Sequence, residues 1–282
     1  MSAKTATSDQ VITLPKGGGA LSGIGEKFVP DLQMGTGHFS VPLDLPAGRN
    51  GFQPGLQLAY STGTPEGVFG FGWSLAVPAV TRKTEKGIPR YRDAEDIFLL
   101  SGTEDLVPVS GGSAGTTQYR PRTEGLFARI VHHQRDGDYW KVESKDGLVS
   151  FYGTPPPADV ESNWRDPAVV ADPQDRSHIF SWQLTLTIDP FGNRIEYSYE
   201  RDSNPVDGQH RWDQLYLRQI RYVDYGSPEE PHFLVGVRFV YEPRPHPFSN
   251  SGRGSRSGPY AVAGGSRLEH SPGRFDWRAL IT

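Results

Sequence analysis

Three sets of residues are the candidates for chemistry. The first lies in VITLPKGGGALSGIGEKF, residues 11–28, where five glycines fall between Gly17 and Gly25. A phosphate cradle of the G-x-x-x-x-G-K-[ST] type needs its lysine and hydroxyl to reach phosphate and magnesium. Here Gly25 is followed by Glu26, Lys27 and Phe28, so the spacing fails and the hydroxyl is missing. The dinucleotide pattern G-x-G-x-x-G also fails after Gly17, Gly23 and Gly35. The run reads instead as a loop where glycine permits positive φ or close backbone packing. The second set is the eight histidines, none of which stands in H-E-x-x-H or another zinc spacing. His132 and His133 sit beside charged residues and are expected at a solvated strand end. The third set is the neighbouring carboxylates Glu95–Asp96 and Glu104–Asp105. Adjacent residues on a strand point to opposite faces, which is poor geometry for shared acid–base work. There is no G-x-S-x-G, and DAEDIFLLSGTEDL lacks calcium-loop spacing. The sequence therefore predicts no enzyme activity, no catalytic residue, no metal site and no cofactor.

The elements that would carry any site are short and turn-rich. The chain has 282 residues with 33 Gly and 24 Pro, which suits many tight turns better than long helices. With 14 Phe, 12 Tyr and 6 Trp it holds enough apolar bulk for a real core. The formal charge of -4 gives no basis for a nucleic-acid partner. The absence of cysteine excludes disulfides, thiolate catalysis and cysteine–metal sites. No apolar run is long enough to span a membrane as a helix. Residues 1–14 lack the apolar stretch of a signal peptide, so synthesis in the cytoplasm and release by a non-classical route are expected.

Period-two alternation dominates. Leu56, Leu58 and Tyr60 share one face in GLQLAYS. YWKVESKDGLVSFYG reads as a hairpin around Asp146–Gly147. In WQLTLTIDPFGNRIEYSYE, Trp182, Leu184, Leu186 and Ile188 answer Ile195, Tyr197 and Tyr199 across a turn from Asp189 through Gly192 and Asn193. FLVGVRFVYE alternates Phe233, Val235, Val237, Phe239 and Tyr241. DGQHRWDQLYLRQIRY leaves helix and strand open, because its apolar spacing fits neither period throughout. The expected fold is mainly β: antiparallel hairpins in a curved ribbon or a sandwich-like sheet assembly, rich in Gly/Pro turns. A flexible arm is expected over 1–10, the β domain over 11–249 with an internal boundary near 152–178, and a disordered tail over 250–282.

Five stretches taken in order carry a family resemblance: ITLPKGGGALSGIGEKF (12–28), GTGHFSVPLDLPAGRNGFQPGLQLAYSTG (35–63), GVFGFGWSL (67–75), KGIPRYRDAEDIFLLSGTEDLVPV (86–109) and DPFGNRIEYSYE (189–200). Together they resemble the N-terminal domain shared by the Salmonella plasmid virulence protein B and the B component of bacterial insecticidal toxin complexes. DPFGNRIEYSYE also resembles a YD repeat of the Rhs shell proteins. The resemblance implies a non-catalytic structural domain that helps build a β shell around a toxic cargo. It implies two partners, the C component and the pore-forming A component. The recurrent family positions it marks are structural: Pro15, Gly17, Gly23, Gly25, Gly35, Gly37, Gly70, Gly72, Trp73, Gly87, Pro89 and Tyr91, with Gly192 and Asn193 in the later turn. In the Salmonella protein this domain precedes an actin-modifying ADP-ribosyltransferase. That portion would need a Glu-x-Glu pair, which is absent here.

Beyond YEPRPHPFS the resemblance stops. The stretch GSRSGPYAVAGG can be encoded by codons that, shifted by two nucleotides, spell FEVRTVRRCR, similar to the family's usual continuation. A reading-frame shift near residues 250–254 and a truncated product are therefore expected, with the strand edge around 233–241 left open. The competing reading is a carbohydrate- or surface-binding β module that stacks sugars on loop aromatics such as Trp164 and Trp212.

Overall fold

The computed structural model describes residues 27–31, 36–64, 66–109, 113–123, 127–135, 137–157, 164–202, 213–243 and 272–281. The first strands are β1 (Lys27–Asp31), β2 (Thr36–Pro42), β3 (Gln57–Ser61), β4 (Glu66–Gly67), β5 (Gly70–Phe71) and β6 (Trp73–Leu75). There follow β7 (Ala79–Arg82), β8 (Phe98–Leu100), β9 (Glu104–Val109), β10 (Thr116–Pro121), β11 (Arg129–His133), β12 (Tyr139–Glu143) and β13 (Val149–Tyr152). The last are β14 (Val169–Ala171), β15 (Ile179–Ile188), β16 (Arg194–Asp202), β17 (Gln214–Gly226), β18 (Pro231–Pro243) and β19 (Pro272–Ile281). Every pairing is antiparallel.

Strands β7 to β13 form a meander that β15 closes into a barrel. β15 is long enough to do this twice over. Its Ser181–Gln183 stretch pairs with β7, while Leu184–Ile188 pairs with β13. The same strand receives β14 at Ile179–Trp182 and passes the chain to β16 at Leu186–Ile188. From there β16, β17, β18 and β19 leave as a ribbon of long hairpins. Closure explains how eight short strands avoid exposed sheet edges. The flanks of the segment at 152–178, β13 and β15, are direct neighbours in the barrel wall.

Period-two alternation fills the barrel interior with Val80, Phe98, Leu106, Tyr119, Ile130, Trp140, Tyr152, Trp182 and Leu184. A second core lies where the chain around Leu43 and Leu56 meets Ile195, Leu217, Ile220, Tyr222, Val235, Val237 and Phe239 of the ribbon. Leu58 of β3 and Leu75 of β6 pack onto it, so the four-stranded sheet β1-β2-β3-β6 is anchored there. Tyr197 touches both cores.

Three expectations change. The undecided segment is strand β17, and its spacing was unreadable because a bulge skips Arg218 between the Ser198–Gln219 and Tyr199–Leu217 pairs. The extra residue shifts the alternation from Leu215 and Leu217 to Ile220 and Tyr222. His132 is not at a solvated end: it is fully buried, while His133 takes the outward phase of the same strand. The tail expected to be disordered over 250–282 contains β19, which pairs with β18 from Val235 to Pro243. The edge expected to be open at 233–241 is thus covered over most of its length. The alternation Phe275, Trp277, Ala279, Ile281 was the available signal, overlooked beside the Gly/Ser-rich stretch before it.

Candidate functional site

The expected structural positions fall into separate places. Pro15, Gly17, Gly23, Gly25 and Gly35 lie outside the described residues. Gly37 is in β2, where its N–H donates to Thr62 Oγ1 at 3.2 Å. Gly70 and Gly72 flank Phe71 before β6, both at positive φ. At Gly72 a Cβ would lie 2.4 Å from the Tyr60 ring, so any other residue forces that ring or the backbone to shift. Trp73 follows, edge-on to Phe39 and tilted against Tyr60, with centroids 6.2 and 5.3 Å away. Gly192 and Asn193 sit in the β15–β16 turn, which the buried Asp189 organises. Its carboxylate accepts the N–H groups of Phe191 and Asn193 at 2.9 and 2.8 Å and the Asn193 side-chain amide at 2.7 Å. Phe191 projects from this turn, 80% exposed.

Gly87, Pro89 and Tyr91 belong to the loop between β7 and β8. Gly87 and Pro89 line an open cavity of about 400 Å³ with Lys83, Lys86, Arg90 and Asp105. Most of its charges are mutually engaged. Lys83 bridges Glu85 and Asp105 at 2.8 and 3.0 Å, and Arg122 reaches Asp105 at 3.2 Å. Arg90 and Arg92 hold Glu95, and these guanidinium hydrogen bonds keep its carboxyl below the usual range. The Glu85 hydrogen bond raises Lys83 instead of freeing it as a base. Of the carboxylate pairs singled out in the sequence, Glu95, Asp96 and Asp105 are therefore charge partners and Glu104 is a backbone acceptor. Asp96 and Glu95 serve different arginines, and Glu104 accepts the Thr123 N–H at 2.8 Å.

Deeper in the same end of the barrel is a polar cluster the sequence did not announce. Arg82 continues the inward phase of Val80 and is buried. It donates to the Ile179 carbonyl at 2.7 Å and pairs with Asp93 and Asp96 at 2.7 and 2.8 Å. Its guanidinium lies 4.8 Å from the Phe98 ring centroid, and Tyr91 stacks on His178 beside it. His132 lies flat on Trp140 with centroids 4.1 Å apart. A 2.7 Å hydrogen bond from its Nε2 to Asp138 fixes the ring, and Trp182 donates to the same carboxylate oxygen at 2.9 Å. A charge buried in this way is tolerable only when it is paired and hydrogen-bonded, as Arg82 is.

The barrel is tied to the ribbon through Asp213, whose side chain is 1% exposed. It accepts Arg176 at 2.8 Å, the Ala171 N–H at 3.0 Å and two bonds from Arg201. Arg201 also donates to the carbonyls of Asp166 and Val169 at 2.8 and 2.7 Å. These groups come from β14 and the segment before it, the β14–β15 turn, the end of β16 and the residue just before β17. No sequence motif links them. Nearby, Asp166 accepts the Thr154 and Ala168 N–H groups, and burial pushes its carboxyl above the usual value.

Among the described residues no nucleophile, base and oxyanion donors converge, and no group of three metal-ligating side chains gathers. No helix among them is long and apolar enough to cross a membrane. Trp164, one of the aromatics considered for sugar stacking, is half-buried, and Trp212 lies outside the described residues. What the arrangement can do is hold shape: a closed barrel, its end pinned by ion pairs, carrying a ribbon. This is the architecture of a β scaffold domain.

The comparisons place that scaffold. The profile of the SpvB family, described as the Salmonella virulence plasmid 65kDa B protein, matches residues 32–237, and the chain belongs to this family. The mono(ADP-ribosyl)transferase SpvB of Salmonella typhimurium is 31% identical over 239 residues, covering 76% of this chain and 37% of the relative. The chain thus spans little more than a third of the curated relatives it matches. Among solved structures, TcdB2-TccC3 is 28% identical with a TM-score of 0.64, over 88% of this chain and 13% of that one. The N-terminal domain of the effector SpvB from Salmonella typhimurium is 26% identical with a TM-score of 0.59, over 76% and 78%. The Photorhabdus luminescens Tc holotoxin pore is 27% identical with a TM-score of 0.65, over 88% and 13%.

Proposed function

We propose that this chain is a non-catalytic structural domain of a toxin-complex B component, forming part of a β shell around a toxic polypeptide. The observation that carries the reading is the likeness to TcdB2-TccC3 across 88% of the chain. The internal architecture supports it, because the buried ionisable pairs identified above tie strands to loops and turns of the same scaffold. On this reading the partners are the C component, which completes the shell, and the pore-forming A component. The Rhs-like DPFGNR turn belongs to the shell wall. Release from the bacterium by a dedicated machine or by lysis belongs to the same reading and is checked by cell fractionation.

Two measurements test it. Purified chain incubated with NAD and actin transfers no ADP-ribose label; transfer above a heat-treated control overturns the non-catalytic assignment. Mixed with a toxin-complex C component, the chain co-elutes on size exclusion. Failure to co-elute, while the matching longer B component does so, removes the shell assignment for this chain.

A further inference from the structure

We infer that Asn50 is a site of spontaneous deamidation, an inference that stands apart from the shell reading. It is the one asparagine of the sequence followed by glycine. The pair lies in the 3-10 turn Arg49–Gly51, which has no buried residue, and both side-chain positions face solvent. Asn50 takes a left-handed conformation, φ 51° and ψ 28°. Asparagine tolerates this region better than most residues, but the Gly51 nitrogen is held away from its own Cγ there. Rotation about ψ brings them together, and it breaks two turn bonds, Gly51 N–H to Gly48 O at 3.2 Å and Phe52 N–H to Arg49 O at 2.8 Å. Opening an exposed turn of this kind exposes no core, so it lies at the low end of local unfolding costs. Gly51 presents no Cβ to hinder approach, and nothing lies within 4 Å of where one would be.

The chemistry balances with water alone. Hydroxide removes the Gly51 amide proton, and that nitrogen attacks Asn50 Cγ. The Cγ–Nδ2 bond breaks and ammonia leaves with a proton from solvent. Water then opens the succinimide at either carbonyl, giving aspartyl or isoaspartyl residues. The isoaspartyl form inserts an extra backbone carbon into the connection that places Phe52 and Leu56 against the second core. It also disturbs Arg49, which reaches Asn193 of the β15–β16 turn at 3.4 Å.

The test is ageing of the folded full chain at mildly alkaline pH, followed by tryptic mapping. The peptide from Asn50 to Arg82 contains no other asparagine. It gains about 1 Da and accepts methyl groups from S-adenosylmethionine through isoaspartyl methyltransferase, several-fold faster than any other asparagine peptide. Asn50→Gly, which keeps the left-handed turn, abolishes the signal while melting like the parent. Two results overturn the inference: Asn50 intact in the folded chain while the urea-unfolded chain converts, or conversion no faster than at the other asparagines.

Discussion

Asp213→Asn is the sharpest probe of how the barrel is tied to the ribbon. The substitution conserves volume and one acceptor but removes the charge that Arg176 and Arg201 share. The Asp213 side chain is 1% exposed, against 31% for Arg176 and 18% for Arg201. Water therefore reaches the arginines only partly once the carboxylate is gone. Breaking a buried pair from one side costs about 3–5 kcal/mol, and the partial exposure of the arginines puts this case near the lower end, about 3 kcal/mol. Against a typical total of about 5–15 kcal/mol, that is a large fraction. The comparison is Arg129→Ala, which removes an exposed partner of Glu143 at 3.6 Å and is expected to cost under about 0.5 kcal/mol. Urea unfolding followed by tryptophan fluorescence reads both. Asp213→Asn moves the midpoint strongly and Arg129→Ala hardly at all. A double substitution with Arg201→Met recovers part of the loss, because it removes one of the uncompensated cations. If Asp213→Asn costs no more than Arg129→Ala, the buried cluster does not join the two parts, and the reasoning fails.

Three further outcomes are expected. Gly72→Ala destabilises by more than about 2 kcal/mol, since it adds a clash with Tyr60 to the left-handed penalty, whereas Gly70→Ala, with open space around it, costs only about 1 kcal/mol; equal midpoints in urea would remove the steric argument. Asp189→Ala strips the β15–β16 turn of three hydrogen bonds and costs about 2–3 kcal/mol, while Phe191→Ser in the same turn, being exposed, stays within about 0.5 kcal/mol; thermal melts separate the two. At alkaline pH the buried tyrosines drive unfolding. Burial pushes the Tyr119 and Tyr152 hydroxyls up to about 12 and also raises Tyr197, Tyr199 and Tyr241. The unfolded chain ionises first, so stability falls from about pH 10 upward, by roughly 2 kcal/mol for Tyr152 alone by pH 12. The share of phenolate absorbance that belongs to these buried tyrosines should therefore rise in one step together with the loss of near-UV circular dichroism; ionisation of that share before unfolding would contradict the burial.

Much of this protein was legible in its sequence because a strand half-buried on one face needs only alternation to declare itself. The alternation within Trp182–Leu184 and Val235–Val237 names buried faces correctly, and the turns at Asp146–Gly147 and Asp189–Asn193 close where their residue types require. The expected match of the Trp182–Ile188 face with Ile195 and Tyr197 is overturned: Ile195 stands opposite Thr187 and Glu196 opposite Leu186, so Trp182 and Leu184 enter the barrel core while Ile195 enters the second core. Local chemistry likewise excluded P-loop, dinucleotide and zinc-spacing motifs, since each depends on spacing within one segment. What the sequence could not state is which strands meet. β15 closes the barrel by holding β7 and β13 on different stretches of its length, a choice made by sheet twist and closure instead of by any neighbour in sequence. The burial of His132 and Arg82, and the convergence of Arg176, Arg201 and Ala171 on Asp213, follow from that closure. A bulge at Arg218 erased the alternation of β17, and a Gly/Ser-rich approach hid that of β19. Alternation assigns a residue to a face, whereas only the folded sheet decides what lies opposite that face, and the ion pairs exist because of what lies opposite.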